Sequence, residues 1–138
     1  MQRGSGKKKT LKAVILIAVL LVVALGAYAA ITYPKIVVSF PVSFTWGADV
    51  EHKEFSMPLL HAVAQVEVAV SSGTTLWTAS IIRQDETIWS DNAHQPDQTT
   101  YRSIWIGLPS GCYNFTFATA GLGSLEAEIN VITKGGFW

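Results

Sequence analysis

Cysteine is nearly absent from this 138-residue sequence, which contains a single one, Cys112. One thiol excludes an intramolecular disulfide and a zinc module built on several cysteines. Its position at the start of a predicted strand favours a small buried side chain, because free cysteine is among the most buried residue types. A domain outside the cytoplasm would therefore depend on its core or on a partner for stability.

The sequence also lacks the motifs that would identify an enzyme. It contains no G-x-S-x-G nucleophile turn, no phosphate-binding loop and no H-E-x-x-H zinc motif. Glu126 and Glu128 fall on one face of a predicted strand, but acids on a solvated strand face are common without catalysis. We therefore expect a protein with no catalytic activity and no cofactor, except as an accessory subunit of an enzyme complex.

Charge is missing from residues 13–34, and acidic residues are missing from the first 48. Five basic residues precede the uncharged stretch, whereas five basic and ten acidic residues follow it. The positive-inside rule predicts that the basic segment 1–12 stays in the cytoplasm and that the acidic part lies outside. Nucleic acid is excluded as a partner, because its binding requires a clustered basic surface.

The uncharged stretch 13–34 has the length of a transmembrane helix, because about 20 helical residues span the hydrocarbon core. Tyr28 and Tyr33 fall where an outer interfacial aromatic belt would lie. Gly26 and Ala30 have the spacing of a small-residue face that packs against another helix. We expect an uncleaved single-pass anchor in the cell membrane with its N-terminus in the cytoplasm.

Two other interpretations of this stretch remain open. The pattern Ala27-Tyr28-Ala29 after the most apolar part is also typical of a secretory signal peptide that is cleaved after Ala29. Lys12-Ala13 before the apolar run resembles the processing site of archaeal type IV pilins and archaellins. Those families place an N-terminal helix in a filament core and a β-sandwich outside it. The resemblance implies cleavage after Ala13 and copies of this chain as partners.

After Pro34 the hydrophobic period changes from helical to alternating, which is typical of half-buried strands. The first predicted strand carries Pro41 on its polar face, which indicates an edge strand or a bulge. Its apolar face comprises Ile36, Val38, Phe40, Val42, Phe44 and Trp46. About seven such strands over 35–138 predict an all-β fold, an antiparallel β-sandwich of immunoglobulin-like or jelly-roll type.

Residues 47–61 break the alternation and are predicted to form a long irregular connection near the membrane. Because loops carry function more often than strands, the ligand-type residues His52, Met57 and His61 are copper candidates. The usual cupredoxin order places the cysteine before the last histidine and methionine, whereas Cys112 follows all three residues. We therefore expect no metal and keep these three residues as the copper candidates.

Aromatic residues near the strand ends raise further hypotheses. Trp89 and Trp105 have the opposite parity to neighbouring isoleucines, so one residue of each pair is expected to face solvent, where tryptophan can stack on a sugar ring. Phe137 and Trp138 follow a diglycine and are predicted to contact the sandwich, the bilayer interface or a neighbouring subunit. Asn114 belongs to an N-glycosylation sequon on the outward face of its strand.

Together these patterns predict a membrane-anchored, non-catalytic structural or interaction subunit of a larger cell-envelope or membrane complex. The expected organisation is a basic cytoplasmic tail over 1–12, a transmembrane helix over 13–34 and an extracellular or periplasmic β-sandwich over 35–138. Expected partners are the lipid bilayer, other membrane or envelope subunits, and copies of the chain. A pilin-like filament subunit is the first alternative, and a secreted carbohydrate- or protein-binding module is the second.

Overall fold

In the computed structural model, a long N-terminal helix leads into a two-layered domain of antiparallel strands. The structure describes residues 2–73, 76–93, 99–121 and 123–135. Helix α1 spans Gln2–Thr32. The strands are β1 (Lys35–Phe44), β2 (Gly47–Ser56), β3 (Val63–Gly73), β4 (Trp77–Arg83), β5 (Glu86–Ala93), β6 (Thr100–Arg102), β7 (Ile106–Gly107), β8 (Cys112–Gly121) and β9 (Leu125–Lys134).

Helix α1 includes the basic segment and ends at Thr32, two residues before Pro34. It ends there because proline disfavours helical geometry in the residue that precedes it. Over Lys8–Thr32 the helix is long and apolar enough to cross a membrane, and its most apolar part is not buried in the protein. The helix therefore does not supply the core of the domain that follows it.

The nine strands form two antiparallel sheets. The first sheet has the order β1-β9-β3-β6, with β7 also paired to β3, and the second has the order β2-β8-β4-β5. An immunoglobulin domain would instead pair its first strand with its second. The observed order is that of an eight-stranded jelly roll in which β6 and β7 together provide one strand. The predicted all-β sandwich is confirmed, and its topology is the jelly-roll alternative.

Strand β1 shows both features that Pro41 predicts, since it lies at the edge of the first sheet and contains a bulge between Ile36 and Val38. Four residues of its predicted apolar face are buried, namely Val38, Phe40, Val42 and Phe44. Ile36 and Trp46 are exposed, contrary to the simple alternation. The bulge reverses the parity at Ile36, and Trp46 lies beyond the end of the strand.

The core lies between the sheets and is centred on the middle strand β8. Tyr113, Phe115 and Phe117 alternate into it, as their spacing predicts. The rings of Phe115 and Phe40 have centroids 6.1 Å apart, so the two sheets are in direct contact there. Full burial of a large apolar side chain is worth about 1.5–3 kcal/mol, so these buried aromatic rings contribute substantially to the stability of the sandwich.

The predicted irregular connection over 47–61 is wrong for most of its length. Residues Gly47–Ser56 form β2, which pairs with β8 from Gly47↔Gly121 to Ser56↔Cys112. The alternation is missing because β2 is an edge strand whose side chains are mostly exposed on both faces. The true connection runs only from 57 to 62.

The expected burial of Cys112 is also wrong, because its thiol is exposed. Cys112 is the first residue of β8, and the inward parity of Tyr113 turns Cys112 outward.

Candidate functional site

The point at which the helix meets the sandwich is held by buried backbone contacts. Only Tyr33 and Pro34 separate α1 from β1. Thr32 has no exposed surface, and its carbonyl accepts a hydrogen bond of 2.9 Å from the backbone N–H of Gly135. A Cβ atom at Gly135 would lie 2.6 Å from the Cβ of Thr32, so the close approach requires glycine. The end of the helix is therefore part of the folded domain.

His61 connects the last turn of the helix to the last strand. The side chain is only 6% exposed, and its Nε2 lies 2.6 Å from the carbonyl oxygen of Ile31. Because a carbonyl can only accept, Nε2 carries the hydrogen and donates it. On the other side of the ring, Nδ1 lies 2.8 Å from the hydroxyl of the fully buried Thr133. We call the set Ile31, Thr32, His61, Thr133 and Gly135 the helix junction.

The copper candidates serve separate structural purposes. Both ring nitrogens of His61 are used in the helix junction, and Met57 is buried in the core. His52 is exposed on β2, where its Nδ1 lies 3.0 Å from the hydroxyl of Thr116 on β8. Within the described part of the chain, no three His, Cys, Asp or Glu side chains form a group that could hold a metal ion.

The remaining predicted site residues lie apart from the junction or at its margin. Ala13, Gly26 and Ala30 are exposed on α1, and Ala29 is half-buried near the end of the helix. Asn114 is half-buried on the central strand β8, where it pairs with Glu54 on β2 and with Ile82 on β4.

The C-terminal Phe137 and Trp138, which were predicted to mediate an interaction, lie outside the described residues.

The predicted strand around Trp105 is interrupted, which exposes two apolar residues together. Ser103 turns inward, and its hydroxyl accepts a hydrogen bond of 2.9 Å from the backbone N–H of Val66. Ile104 and Trp105 are consequently both exposed, whereas Ile106 is buried after the chain resumes pairing as β7. The Nζ of Lys134 lies 4.1 Å from the centroid of the Trp105 ring. Trp89 is half-buried against the core.

A shallow groove of about 430 Å³ crosses the outer face of the first sheet. Residues of β1, β3 and β9 line it, and Glu126 and Glu128 are exposed along it. Its lining contains no histidine, lysine, arginine or aromatic residue. A sugar ring would find no aromatic stacking surface there.

Away from the helix junction, a polar contact links β6, at the edge of the first sheet, to β5, at the edge of the second. The Tyr101 hydroxyl on β6 donates a hydrogen bond to the Asp91 carboxylate on β5. Burial and the adjacent Asp91 carboxylate raise the pKa of Tyr101 well above its usual value. The Tyr101 ring also packs edge-on against Trp77, with centroids 5.0 Å apart. Together these contacts hold the two sheets closed along this edge.

No protein-family model matches the chain, and no curated protein matches it in sequence. The chain is similar in structure to the pre-peptidase C-terminal domain of collagenase from Bacillus anthracis, with a TM-score of 0.50 and 13% identity over 70% of this chain and 89% of that one. It is also similar to the CBM36-1 domain of a multidomain xylanase from the hindgut metagenome of Trinervitermes trinervoides. There the TM-score is 0.46 at 10% identity, over 75% of this chain and 98% of that domain. At 13% identity the likeness to the collagenase domain shows a shared fold alone.

Proposed function

We propose that this protein is a single-pass membrane protein that holds a non-catalytic β-sandwich outside the cytoplasm as a structural or interaction subunit. The observation that carries the proposal is an apolar helix, exposed on all sides, that continues directly into the sandwich. Its 25 residues from Lys8 to Thr32 extend about 38 Å at 1.5 Å per residue, which exceeds the ~30 Å hydrocarbon core.

The energetics of the exposed side chains favour a lipid environment. Leu20 and Leu21 are each 59% exposed, and the next residue, Val22, is 70% exposed. Moving such a side chain fully from water to an apolar environment is worth about 1.5–3 kcal/mol. The apolar part of the helix exposes side chains of this type on every face, so the lipid tails of a bilayer can contact all of them.

The charge pattern supports a cytoplasmic N-terminus. All five basic residues that precede the apolar stretch lie within the first 12 positions, and no acidic residue accompanies them. Basic residues close to a transmembrane helix resist translocation, so they orient the helix. The acidic sandwich is then placed on the outer side.

The helix junction supports an anchor over a cleaved signal peptide. A cut after Ala29 would fall within the last turn of α1, three residues before the buried Thr32. The Thr32 hydroxyl donates a hydrogen bond of 2.7 Å to the Tyr28 carbonyl across the proposed cleavage site. A cut there would remove the Tyr28 carbonyl that the Thr32 hydroxyl bonds and would leave the other junction contacts in place.

The described side chains support a role in structure or interaction. Glu126 and Glu128 lie in a shallow groove on the outer face of the first sheet, and both ring nitrogens of His61 are used in the junction. The Gly26 and Ala30 face has open space around it, which suits close packing with another transmembrane helix or a copy of this one. We therefore propose the bilayer and other membrane or envelope subunits as partners.

The intact mass of the protein isolated from its native membrane or culture fluid tests the proposal. A mass that corresponds to all 138 residues, or to loss of Met1 alone, is expected for an anchor. Loss of residues 1–13 would identify a pilin-like filament subunit, and loss of 1–29 would identify a secreted domain. Either loss would contradict the proposal.

A further inference from the structure

Apolar side chains are exposed together around the end of the helix. We call Tyr33, Leu59, Leu60, Ile104 and Trp105 the helix-proximal rim. Leu59 is 71% exposed and Ile104 is 76% exposed, although each is of a type that normally contributes to a core. The rim residues come from three separate connections, namely helix to β1, β2 to β3, and β6 to β7. Exposed apolar side chains gathered on neighbouring connections are typical of an interaction surface.

Backbone contacts place these connections at the same end of the sandwich. The Ala62 N–H donates to the Lys134 carbonyl, and the Leu108 N–H donates to the Ala62 carbonyl. The carbonyl of Leu60 lies 3.2 Å from the Cβ position of Gly135, which itself touches Thr32. The chain after Ala62 begins β3 beside the end of β9. The β2–β3 connection therefore surrounds the point at which α1 leaves the domain.

Ile104 and Trp105 lie slightly further from the helix end. Ile106 pairs with Ala64, the second residue of β3. Ile104 comes two residues earlier in the chain, so it lies beside about the third or fourth residue of β3. At about 3.3 Å per residue, Ile104 lies roughly 7 Å along the strand from Val63. The headgroup region on each side of a bilayer is about 5–8 Å thick. Where the hydrocarbon core ends at the last turn of α1, the rim lies within that layer.

The charges around the rim also fit a lipid headgroup layer. The segments 57–62 and 103–111 contain no acidic residue and no lysine or arginine. The cations near the helix end are Lys35, at the exposed start of β1, and Lys134, whose Nζ lies over the Trp105 ring. Strand β4 also ends at this end of the sandwich, beside the start of β8, and the turn to β5 brings Arg83, Asp85 and Glu86 there. Tryptophan and lysine both favour membrane interfaces, because each joins an apolar body to a polar or charged tip.

We propose that the helix-proximal rim inserts into the headgroup layer of the bilayer that α1 spans. The sandwich then sits directly on the membrane in one orientation. This inference rests on the proposed membrane anchoring. The two residues between Thr32 and Lys35 extend by no more than about 7 Å, so the rim cannot leave the reach of the lipid. A bilayer is the one partner that must lie beside the helix end wherever the chain is anchored.

The opposite end of the sandwich provides an internal control. Trp46 is 74% exposed at the β1–β2 turn, which makes it as accessible as Ile104. Strand β1 has 10 residues, so Trp46 lies about 33 Å from the helix end. A surface at that distance lies well beyond the headgroup layer of an upright domain.

Spin labels on single cysteines in the full-length chain test the docking. In a Cys112→Ser background, Leu59→Cys and Ile104→Cys report on the rim, Trp46→Cys on the far end and Val22→Cys on the helix. The chain is reconstituted in phosphatidylcholine vesicles with and without phosphatidylglycerol. The measurement compares relaxation by oxygen, which concentrates in lipid, with relaxation by a water-soluble nickel complex. Thermal melting of each variant shows that the sandwich remains folded.

We expect the oxygen-to-nickel ratio to be shifted upward at the helix and rim labels relative to the label at position 46. A lipid-like ratio in the helix with water-like ratios at both rim positions would overturn the docking and leave the anchoring intact. A water-like ratio in the helix would overturn both. Rim labels shielded from both reagents would show that protein covers the rim, which also overturns the docking.

Discussion

The helix and the sandwich use the same types of side chain in opposite ways. In α1, leucine, valine and isoleucine are exposed on every side, whereas Val66 and Val68 of β3 have no exposed surface. The difference lies in the period of the pattern, since β3 alternates apolar with polar residues and α1 does not alternate at all. An alternating strand can bury its apolar face within its own domain, but a uniformly apolar helix needs an external environment.

The helix junction connects the exposed apolar helix to the buried core of the sandwich. His61 and Gly135 donate hydrogen bonds to the carbonyls of Ile31 and Thr32 in the last turn of α1, and Thr133 holds the other side of the His61 ring. The last turn therefore belongs to the sandwich, although the rest of the helix does not. Substitutions that separate the two regions can show how independent they are.

The largest effect is expected for the sandwich core. Phe115→Ala removes a ring with no exposed surface and should lower the free energy of unfolding by about 3–5 kcal/mol. Retention of the chain in alkaline-washed membranes should not change, because α1 is untouched. Thermal melting in detergent micelles measures the first effect. The exposed Ile88 supplies the control substitution Ile88→Ala, and equal losses for both variants would contradict the assigned core.

The helix should show the reverse behaviour. Val22→Arg places a charge near the middle of the proposed span, which costs about 2.5–3.5 kcal/mol of insertion free energy. We expect less protein in the alkaline-washed membrane fraction and an unchanged melting temperature of the sandwich. Val22→Leu serves as the control. Full retention of the arginine variant would argue against insertion of this helix.

The junction should depend on one histidine and not on the other. His61→Ala leaves the part-buried Ile31 carbonyl and the buried Thr133 hydroxyl without this partner, and should destabilise the sandwich by about 1–3 kcal/mol. His52→Ala removes only an exposed contact with Thr116 and should change stability by less than about 0.5 kcal/mol. Denaturant titration of both variants compares them. Similar losses of stability in the two variants would contradict a specific role of His61 in the helix junction.

Two glycines, one packed against Thr32 and one in open space, test how tightly the end of the helix is held against the sandwich. Gly135→Ala forces a methyl group against the buried Thr32 and should cost about 1–3 kcal/mol. Gly107→Ala meets no atom within 4 Å and should have little effect. The melting temperatures of the two variants measure the difference. A neutral Gly135→Ala would mean that the end of the helix is not held against the domain.

The smallest effect concerns Tyr101 and alkaline pH. The folded state raises the pKa of Tyr101, so above the usual pKa of about 10 the unfolded chain loses this proton first. Stability should therefore fall as the pH rises above about 10. Tyr101→Phe should cost about 1 kcal/mol at neutral pH through the lost bond to Asp91 and should weaken this alkaline dependence. Melting temperatures across this pH range test the sign, and an unchanged alkaline slope in the phenylalanine variant would contradict it.

Much of the sandwich core could be predicted from local pattern alone. Val66, Val68 and Val70 face inward with the spacing that the sequence shows, and so do Tyr113, Phe115 and Phe117. The prediction failed at β2 and at Cys112. A backbone can pair along a whole neighbouring strand without any side-chain alternation when both faces of the strand are exposed. Cys112 lies outward because it alternates with the inward-facing Tyr113, so the parity of the strand overrides the general tendency of free cysteine to be buried.

The candidate site was the least predictable part. The sequence suggests His61 only as one of three copper candidates, with no metal expected. In the structure its partners are Ile31, 30 residues before it, and Thr133, 72 residues after it. The helix-proximal rim likewise combines connections that are distant in the chain. No local pattern contains such contacts, because they arise only when β1, β3 and β9 come together in one sheet.

The sequence by itself determined the apolar character of the helix, the alternating strands and the inward residues of the core, whereas the helix itself spans Gln2–Thr32 and includes the predicted basic tail. These properties depend on side-chain period and composition, which are local. Only the tertiary structure decided the jelly-roll order, the burial of His61 and Thr32, and the shared end of the sandwich on which the rim residues lie. These properties depend on which strand pairs with which, and pairing between distant segments is fixed by the packing of the whole domain.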